Sequence, residues 1–516
     1  MKYLILLLTI IGHSALFSQT AFSFLESNNT SAIVGSGGTF FNDFANSAPG
    51  YEYPKGSGNH LIYANAFWFG GEDVNGNIKL SGQQYDWGKD LFPGPLTTDG
   101  TAEVTSGTAA LYDQVYTVTK EDIDYHIQNC YTSGYVIPSS ISDWPAHGDV
   151  VLDQDFYLAP FVDANNDQVY TPELGDYPLI RGDVASYVIM NDKLNVHTES
   201  GADPIGIECH FMFYQFATSD DLNNTTFVNI KVINRGTQTI YDFSVGGLFD
   251  TDLGDPNDDY MGSDSTLNLI YAYNATNSDA QYGAGAPAVG LVSLNHELGV
   301  AGSYASLSGP TSIAQIPHDY NLNMNGYYKD GSVMTEGGNG YGGTIPNTFQ
   351  YHGDPNVSGE WSEVDEGNIP SDKRLFYATE PTVLQPFTEE CYDFAIVIGD
   401  GGDHLENVTH LKTATAFVQD YYNVENYVCE NYEGVMSLED NSDLEIIIYP
   451  QPASDGFRVK IPETFNYEIL AMDGKLVDKA SDVQPNSLIT PQLSPGVYLF
   501  KVILDQKEWM QQIVIE

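Results

Sequence analysis

Between Ile207 and Phe249 the chain carries three apolar runs separated by turn residues, and this pattern sets the class of fold. Ile207, Cys209, Phe211 and Phe213 alternate with Glu208, His210, Met212 and Tyr214, so apolar side chains fall on both faces of one strand. Asp220–Asn224 is a turn signal, Phe227–Asn234 a second strand, Arg235–Gly236 a tight turn and Ile240–Phe249 a third strand. Three strands at this spacing predict an antiparallel β-sandwich. Residues 20–200 are dense in Gly, Asn, Asp and Tyr and read as an N-terminal β- and loop-rich region. Residues 201–429 read as the sandwich region, with a Gly-rich stretch over 270–370 and a buried strand at Phe394–Ile398. One helix is predicted near 405–422, where Leu405, Val408, Leu411, Ala414 or Thr415, Val418 and Tyr421 recur at helical spacing. The expected class is mostly β: a sandwich body with long loops and one clear helix, joined by an acidic linker over 430–443 to a small C-terminal module.

Charge narrows the functions open to such a fold. The 516 residues include 19 Lys and Arg against 70 Asp and Glu, a formal net charge of −51. A surface of that sign repels nucleic acids and anionic lipid head groups. Aromatics make up 13% of the chain, too many for an acidic disordered segment, so the protein is folded and its carboxylates are solvated or neutralised by cations. Four cysteines, Cys130, Cys209, Cys391 and Cys429, show no CxxC spacing. They allow two disulfides, with Cys391–Cys429 favoured, or free buried thiols.

Both ends carry addresses. Met1-Lys2, the apolar run Tyr3–Ile11 and Ser18-Gln19 predict a signal peptide over residues 1–19, too short to span a bilayer. No later run approaches eighteen apolar residues. The stretch Leu444–Glu516 holds ten acidic and six basic residues, a shift in balance that marks a separate module. It opens with Ile446–Ala453 around Tyr449-Pro450 and Pro452, has an Asp473-Gly474 turn followed by Lys475, Leu476 and Val477, and continues through Leu493, Gly496, Val497 and Tyr498 to an apolar end at Ile513–Ile515. It parses as six or seven strands, near 445–449, 456–460, 466–471, 475–479, 486–490, 496–503 and 508–515, a small immunoglobulin-like sandwich. These motifs resemble the type A C-terminal sorting domain of the type IX secretion pathway. That resemblance implies recognition by the secretion machinery, removal beyond the outer membrane and attachment of the cargo to surface lipopolysaccharide. In the body, Tyr51–Gly58, Phe67–Gly71, Phe92–Pro95, Asp155–Pro160 and Gly175–Pro178 resemble a group of large secreted proteins that carry this tail. The likeness adds no reaction.

Two acidic stretches carry the chemistry. In the first, Asp163, Asn165 and Asp167 occupy alternate positions, followed by the Val169 carbonyl and by Glu173 and Asp176. Oxygens at positions 1, 3, 5 and 7 of a tight loop converge as calcium ligands do. Gln168 stands where an EF-hand has Gly, so the stretch is closer to the Asp-x-Asn-x-Asp loops of extracellular modules, with an ion-free Asx-turn loop as the alternative. In the second, Asp250, Asp252, Asp255, Asp258, Asp259 and Asp264 fall within fifteen residues directly after a buried strand. Packed together they repel and gain protons unless a divalent ion neutralises them. A solvated acidic loop and a glycosidase acid–base pair are the alternatives.

The chain lacks HExxH, GxSxG, Walker and Rossmann motifs. His147-Gly-Asp149, His352-Gly-Asp354 and Arg181-Gly-Asp183 read as turns. Trp68, Trp87, Trp144 and Trp361 are core anchors or a sugar-stacking platform. The expected function is a calcium-stabilised cell-surface or secreted protein of binding or structural type, with no transmembrane segment in the mature chain, exported by the type IX machinery and facing a glycan or protein ligand. The alternative is a secreted hydrolase acting on glycans.

Overall fold

The computed structural model describes residues 21–425 apart from Asp86 and 305–307. Beyond these it describes Tyr427, Val435–Met436 and most of 447–515, leaving out 450–455, 462–463, 472–474, 486, 492 and 505–506. The expected signal peptide over residues 1–19, most of the expected linker and the expected Asp473-Gly474 turn lie outside the described residues. Two compact units divide the chain after Met436.

The first unit is built on two large antiparallel sheets. One runs in the order Phe92–Pro93, Val184–Asn191, Ile207–Gln215, Thr226–Asn234, Glu389–Gly399, Ala288–Ser293, Leu269–Asn274 and Asp259–Asp264, with Tyr116–Thr119 added beside Val184–Asn191. The other runs Leu298–Ser303, Lys373–Thr379, Ile240–Thr251, Ala64–Glu72 and Thr39–Phe40, with Thr382–Leu384 and Ile78–Gly82 paired at the sides. Residues from 20–200 and from 201–429 therefore share sheets and a core. Phe40, Phe67, Phe211, Phe213 and Phe394 interlock between the two sheets, with ring centroids 4.6 Å apart for Phe40–Phe213 and 5.5 Å for Phe67–Phe394.

Every residue of Ile207–Gln215 and Thr226–Asn234 is buried, because the outer faces are covered too. On the first sheet, Val408, Leu411, Ala414 and Val418 of the helix Glu406–Glu425 pack on Ala395 and Val397. Asp403 Oδ1 starts that helix by accepting from the amides of Leu405 and Glu406. Its buried stripe ends at Tyr422, one residue past the expected Tyr421. On the second sheet, Tyr320 and Met324 of the helix Pro317–Met324 cover Trp68, Leu248 and Phe376.

All three expected strands form, and they divide between the two sheets. Ile207–Gln215 and Thr226–Asn234 pair as a hairpin. Thr226–Asn234 takes Glu389–Gly399 as its other neighbour, so after Arg235-Gly236 the chain crosses and Ile240–Thr251 becomes the central strand of the opposite sheet. There Gly246 and Gly247 let both neighbours approach: an added Cβ would lie 2.2 Å from the Tyr377 carbonyl oxygen and 2.4 Å from that of Ala66. Helices Ser106–Tyr112, Lys120–Asn129 and Pro317–Met324 are too short to leave a periodic stripe and were not legible as such. Cys391 is disulfide-bonded, Cys130 and Cys209 are free thiols, and Cys429 lies outside the described residues. Among the described residues no helix is long and apolar enough to cross a membrane.

The second unit has seven strands among its described residues, where six or seven were expected. Ile447–Tyr449, Phe457–Lys460 and Leu488–Ile489 form one sheet, and Leu476–Val483, Phe465–Ala471, Gly496–Leu504 and Lys507–Ile515 form the other. Phe457, Val459, Ile469, Phe500, Val502 and Ile513 make one core between them, with the Phe457 and Phe500 rings 5.0 Å apart. This is a small antiparallel sandwich.

Candidate functional site

Strand register builds the site. In the second sheet Asp250 lies opposite Arg374 and Thr251 opposite Lys373, so the next step along brings Asp252 towards Asp372. Carboxylate oxygens of Asp250, Asp252 and Asp372 fall within 4.8 Å of one another. Like charges facing across a ladder are unfavourable, and the surroundings relieve this in part. Tyr85 donates its hydroxyl to Asp250 Oδ2 at 2.5 Å. Arg374 reaches the Tyr85 oxygen with Nε at 3.1 Å and Asp372 Oδ2 with Nη2 at 2.5 Å. Asp250 Oδ1 and Asp372 Oδ1 are buried and receive no hydrogen bond. Burial, reinforced by the Asp252 charge and opposed by the Tyr85 hydrogen bond, pushes the Asp250 carboxyl up to about 8. Burial and the Asp372 charge push Asp252 up to about 6.

These acids floor a cleft of about 820 Å³ whose wall includes Tyr63, Tyr85, Trp87 and Tyr304. Trp87 is 78% exposed, with its ring 4.7 Å from that of Tyr85. Trp68, Trp144 and Trp361 are buried and serve the core, so of the four tryptophans singled out in the sequence only Trp87 offers a free face. An exposed aromatic surface beside convergent polar groups in a concave site is the usual make-up of a small-molecule or glycan pocket.

The remaining acids of the Asp250–Asp264 stretch go elsewhere. Asp255 caps the short turn Pro256–Asp258 by accepting from the Asn257 amide. Asp264 pairs with Lys412 at 3.1 Å and accepts from Thr266. Asp259 starts the strand Asp259–Asp264, fully buried, with Asp258 just ahead of it. The turn and the new strand spread the stretch over more than one place, although Asp258 and Asp252 still act electrostatically on Asp259. Asp372, Arg374 and Tyr85 were not singled out in the sequence. They lie more than a hundred residues from Asp250: sheet register brings Asp372 and Arg374 alongside, and Tyr85 reaches in from the loop after Ile78–Gly82.

The stretch from Asp163 to Asp176 closes into a loop with carboxylate oxygens of Asp163, Asp167 and Asp176 within 4.8 Å of one another. Asp163 accepts from the amides of Asp167 and Gln168 at 3.2 and 2.7 Å. Asp176 accepts from those of Ala164 and Thr171 at 2.8 and 2.7 Å. Asn165 accepts from the Asp167 amide and donates to its carboxylate. Asn166 and Gln168 take left-handed backbone with φ of 60° and 66°, the conformation an Asx-rich loop tolerates. Glu173 is exposed on the turn Pro172–Leu174 and stands apart from the three aspartates, and the Val169 carbonyl accepts from the Thr171 hydroxyl at 3.4 Å. Burial, with Asp163 and Asp167 nearby, raises the Asp176 carboxyl.

The tripeptide motifs are structural. His147 Nε2 accepts from the Tyr170 amide at 2.7 Å. Arg181 is paired with Asp393 at 2.8 Å and lies over the Tyr427 ring, and Asp183 accepts from the Ala217 amide. Asp354 accepts from the Asn356 amide.

Residues 447–516 match the secretion system C-terminal sorting domain. A tail of this kind sends the chain to the cell surface or the extracellular space and implies handling by the type IX machinery. No protein of curated function matches the chain. Solved structures similar to it include a polysaccharide lyase (10% identity, 70% of this chain, 39% of that one, TM-score 0.20). A GalM/aldose epimerase homologue from C. elegans gives 9% identity over 74% of this chain and 100% of that one, with a TM-score of 0.22. PorZ, a surface component of the type IX secretion system of Porphyromonas gingivalis, gives 11% identity over 66% of this chain and 45% of that one, with a TM-score of 0.13. The chain thus spans 39% of the lyase's length, and at these scores the likenesses bear on neither the cleft nor its chemistry.

Proposed function

We propose that this protein is an exported, calcium-stabilised binding protein of the cell surface or extracellular space, and that the Tyr85–Trp87 cleft takes a hydroxyl-rich glycan. The observation that supports this most is the pairing of an exposed Trp87 with a floor of three carboxylates, two of which keep a buried oxygen without a donor. Hard oxygen ligands suit calcium, and an ion there would displace the proton that burial favours on Asp250, with Arg374 balancing part of the negative charge. Asp250, Asp252 and Asp372 would hold it, and a bound calcium supplies open positions for ligand hydroxyls. The Asp163–Asp176 loop, with Asp163, Asn165, Asp167, the Val169 carbonyl and Asp176, is the second place we propose for calcium.

With a dissociation constant of about 10⁻⁴ M, millimolar calcium stabilises the fold by roughly 1.4 kcal/mol per site. The expected result is an unfolding midpoint lowered by roughly 1–2 °C per site in EGTA, read by scanning calorimetry; an unchanged midpoint ends the calcium reading. On a glycan array the protein is expected to bind in calcium, and Trp87→Ala to weaken binding by about tenfold, equivalent to roughly 1.4 kcal/mol. Equal binding by Trp87→Ala removes the cleft from the argument.

A second reading rests on the close approach of Asp250 and Asp252 in a concave site: a glycoside hydrolase, with one carboxyl as acid and the other as base or nucleophile. Turnover of chromogenic glycosides that is lost in Asp250→Asn and Asp252→Asn replaces the binding reading with this one.

A further inference from the structure

We propose that Asp258, Asp259 and Asn274 form a third divalent-cation site, set against the core between the two large sheets, with ligands distinct from those of the cleft floor and the Asp163–Asp176 loop, and best suited to calcium. Asp259 and Asn274 are direct partners across the antiparallel strands Asp259–Asp264 and Leu269–Asn274. The Ala275 amide donates to the Asp258 carbonyl at 2.8 Å, which sets Asp258 beside that pair. Met261 and Ala272, two residues along each strand, belong to the inter-sheet core, so by strand alternation Asp259 and Asn274 face it as well. Both are 0% exposed.

The Oδ1 atoms of Asp258, Asp259 and Asn274 are all buried and none receives a hydrogen bond, while the Asn274 side chain lies against the Asp258 carboxyl. Their orientations are fixed by other contacts. Asn274 Nδ2 donates to the Thr276 carbonyl at 2.9 Å, which turns its oxygen away from that side. Asp259 Oδ2 takes the Leu253 amide at 3.3 Å, leaving Oδ1 over. The neighbouring Asp279 brings no donor: its oxygens already accept from the amides of Asp255, Gln281 and Tyr282. Three enclosed oxygens without a donor are costly as they stand. A divalent cation answers all three at once, its charge matching the two carboxylates. Exclusion of water favours calcium over magnesium, which sheds its hydration reluctantly.

The test uses the full-length protein, stripped with EDTA and titrated with calcium by calorimetry, with tyrosine-sensitised terbium emission as a second readout. Asn274→Ala and Asp259→Asn are each expected to lose one equivalent of calcium and the matching share of terbium emission. Asp252→Asn and Asp372→Asn are expected to keep that equivalent, so a failed cleft site and a failed interior site give different patterns. Asn274→Ala removes no charge and keeps the test open where Asp259→Asn fails to fold. Wild-type stoichiometry in Asn274→Ala overturns the proposal. So does an infrared band of a neutral carboxylic acid that persists in saturating calcium and disappears in Asp259→Asn, because a proton would then occupy the place assigned to the ion.

Discussion

Deleting Ser437–Glu516 leaves the protein inside the cell. The second unit has its own core around Phe457, Val459, Phe500 and Ile513, and it coincides with the residues that match the sorting domain. The first unit keeps both large sheets and all three of its apolar clusters. The truncated chain should therefore fold, cross the inner membrane and stop there. Fractionation of a producing strain checks this: the full chain appears at the surface or in the medium, and the truncated chain is retained with an unfolding midpoint close to that of the full chain's first unit. Truncated protein in the medium would end the reading of the tail as the address.

Arg235→Met is expected to destabilise the first unit by about 3–5 kcal/mol, because it strands a buried charge. Arg235 Nη2 donates to Glu208 Oε1 at 2.9 Å and Nη1 to Asp155 Oδ2 at 2.9 Å. His210 Nε2 also bonds Glu208 Oε1, at 2.8 Å, and the Leu96 amide donates to Oε2. Glu208 is 0% exposed. Burial by itself would raise its carboxyl, but the Arg235 charge and the His210 hydrogen bond outweigh that and hold it well below its ordinary value of 4.5. A depressed carboxylate contributes stability that is present above 4.5 and is lost as pH falls below that value. Chemical denaturation should show the wild-type advantage over Arg235→Met shrinking on acidification. Adding Glu208→Gln to Arg235→Met should recover part of the loss, since the pair acts as a unit. Additive losses, or a difference that stays constant with pH, would refute this account.

Physical contrasts decide what was legible. The tail's strands were readable where apolar residues alternate, as along Phe465–Ala471, so local pattern and final structure coincide. The helix Glu406–Glu425 was readable because a full stripe of apolar residues repeats over its length. The helix Pro317–Met324 was not, because eight residues with four buried positions carry too little periodicity to stand out in a Gly-rich region. The third strand at Ile240 was legible and its partners in the opposite sheet were not, since alternation reports which faces are covered and not which strand lies alongside.

The same division runs through the site. The sequence by itself determined the antiparallel β class, the export tail and two acidic stretches, because these depend on neighbours along the chain. Only the tertiary structure decided that Asp250 and Asp252 meet Asp372, Arg374 and Tyr85, and that Asp258 and Asp259 turn to a different space beside Asn274. Register between the distant strands Ile240–Thr251 and Lys373–Thr379 sets the first meeting, and pairing of the neighbouring strands Asp259–Asp264 and Leu269–Asn274 sets the second. A shift of one residue would send Asp250 and Arg374, or Asp259 and Asn274, to opposite faces.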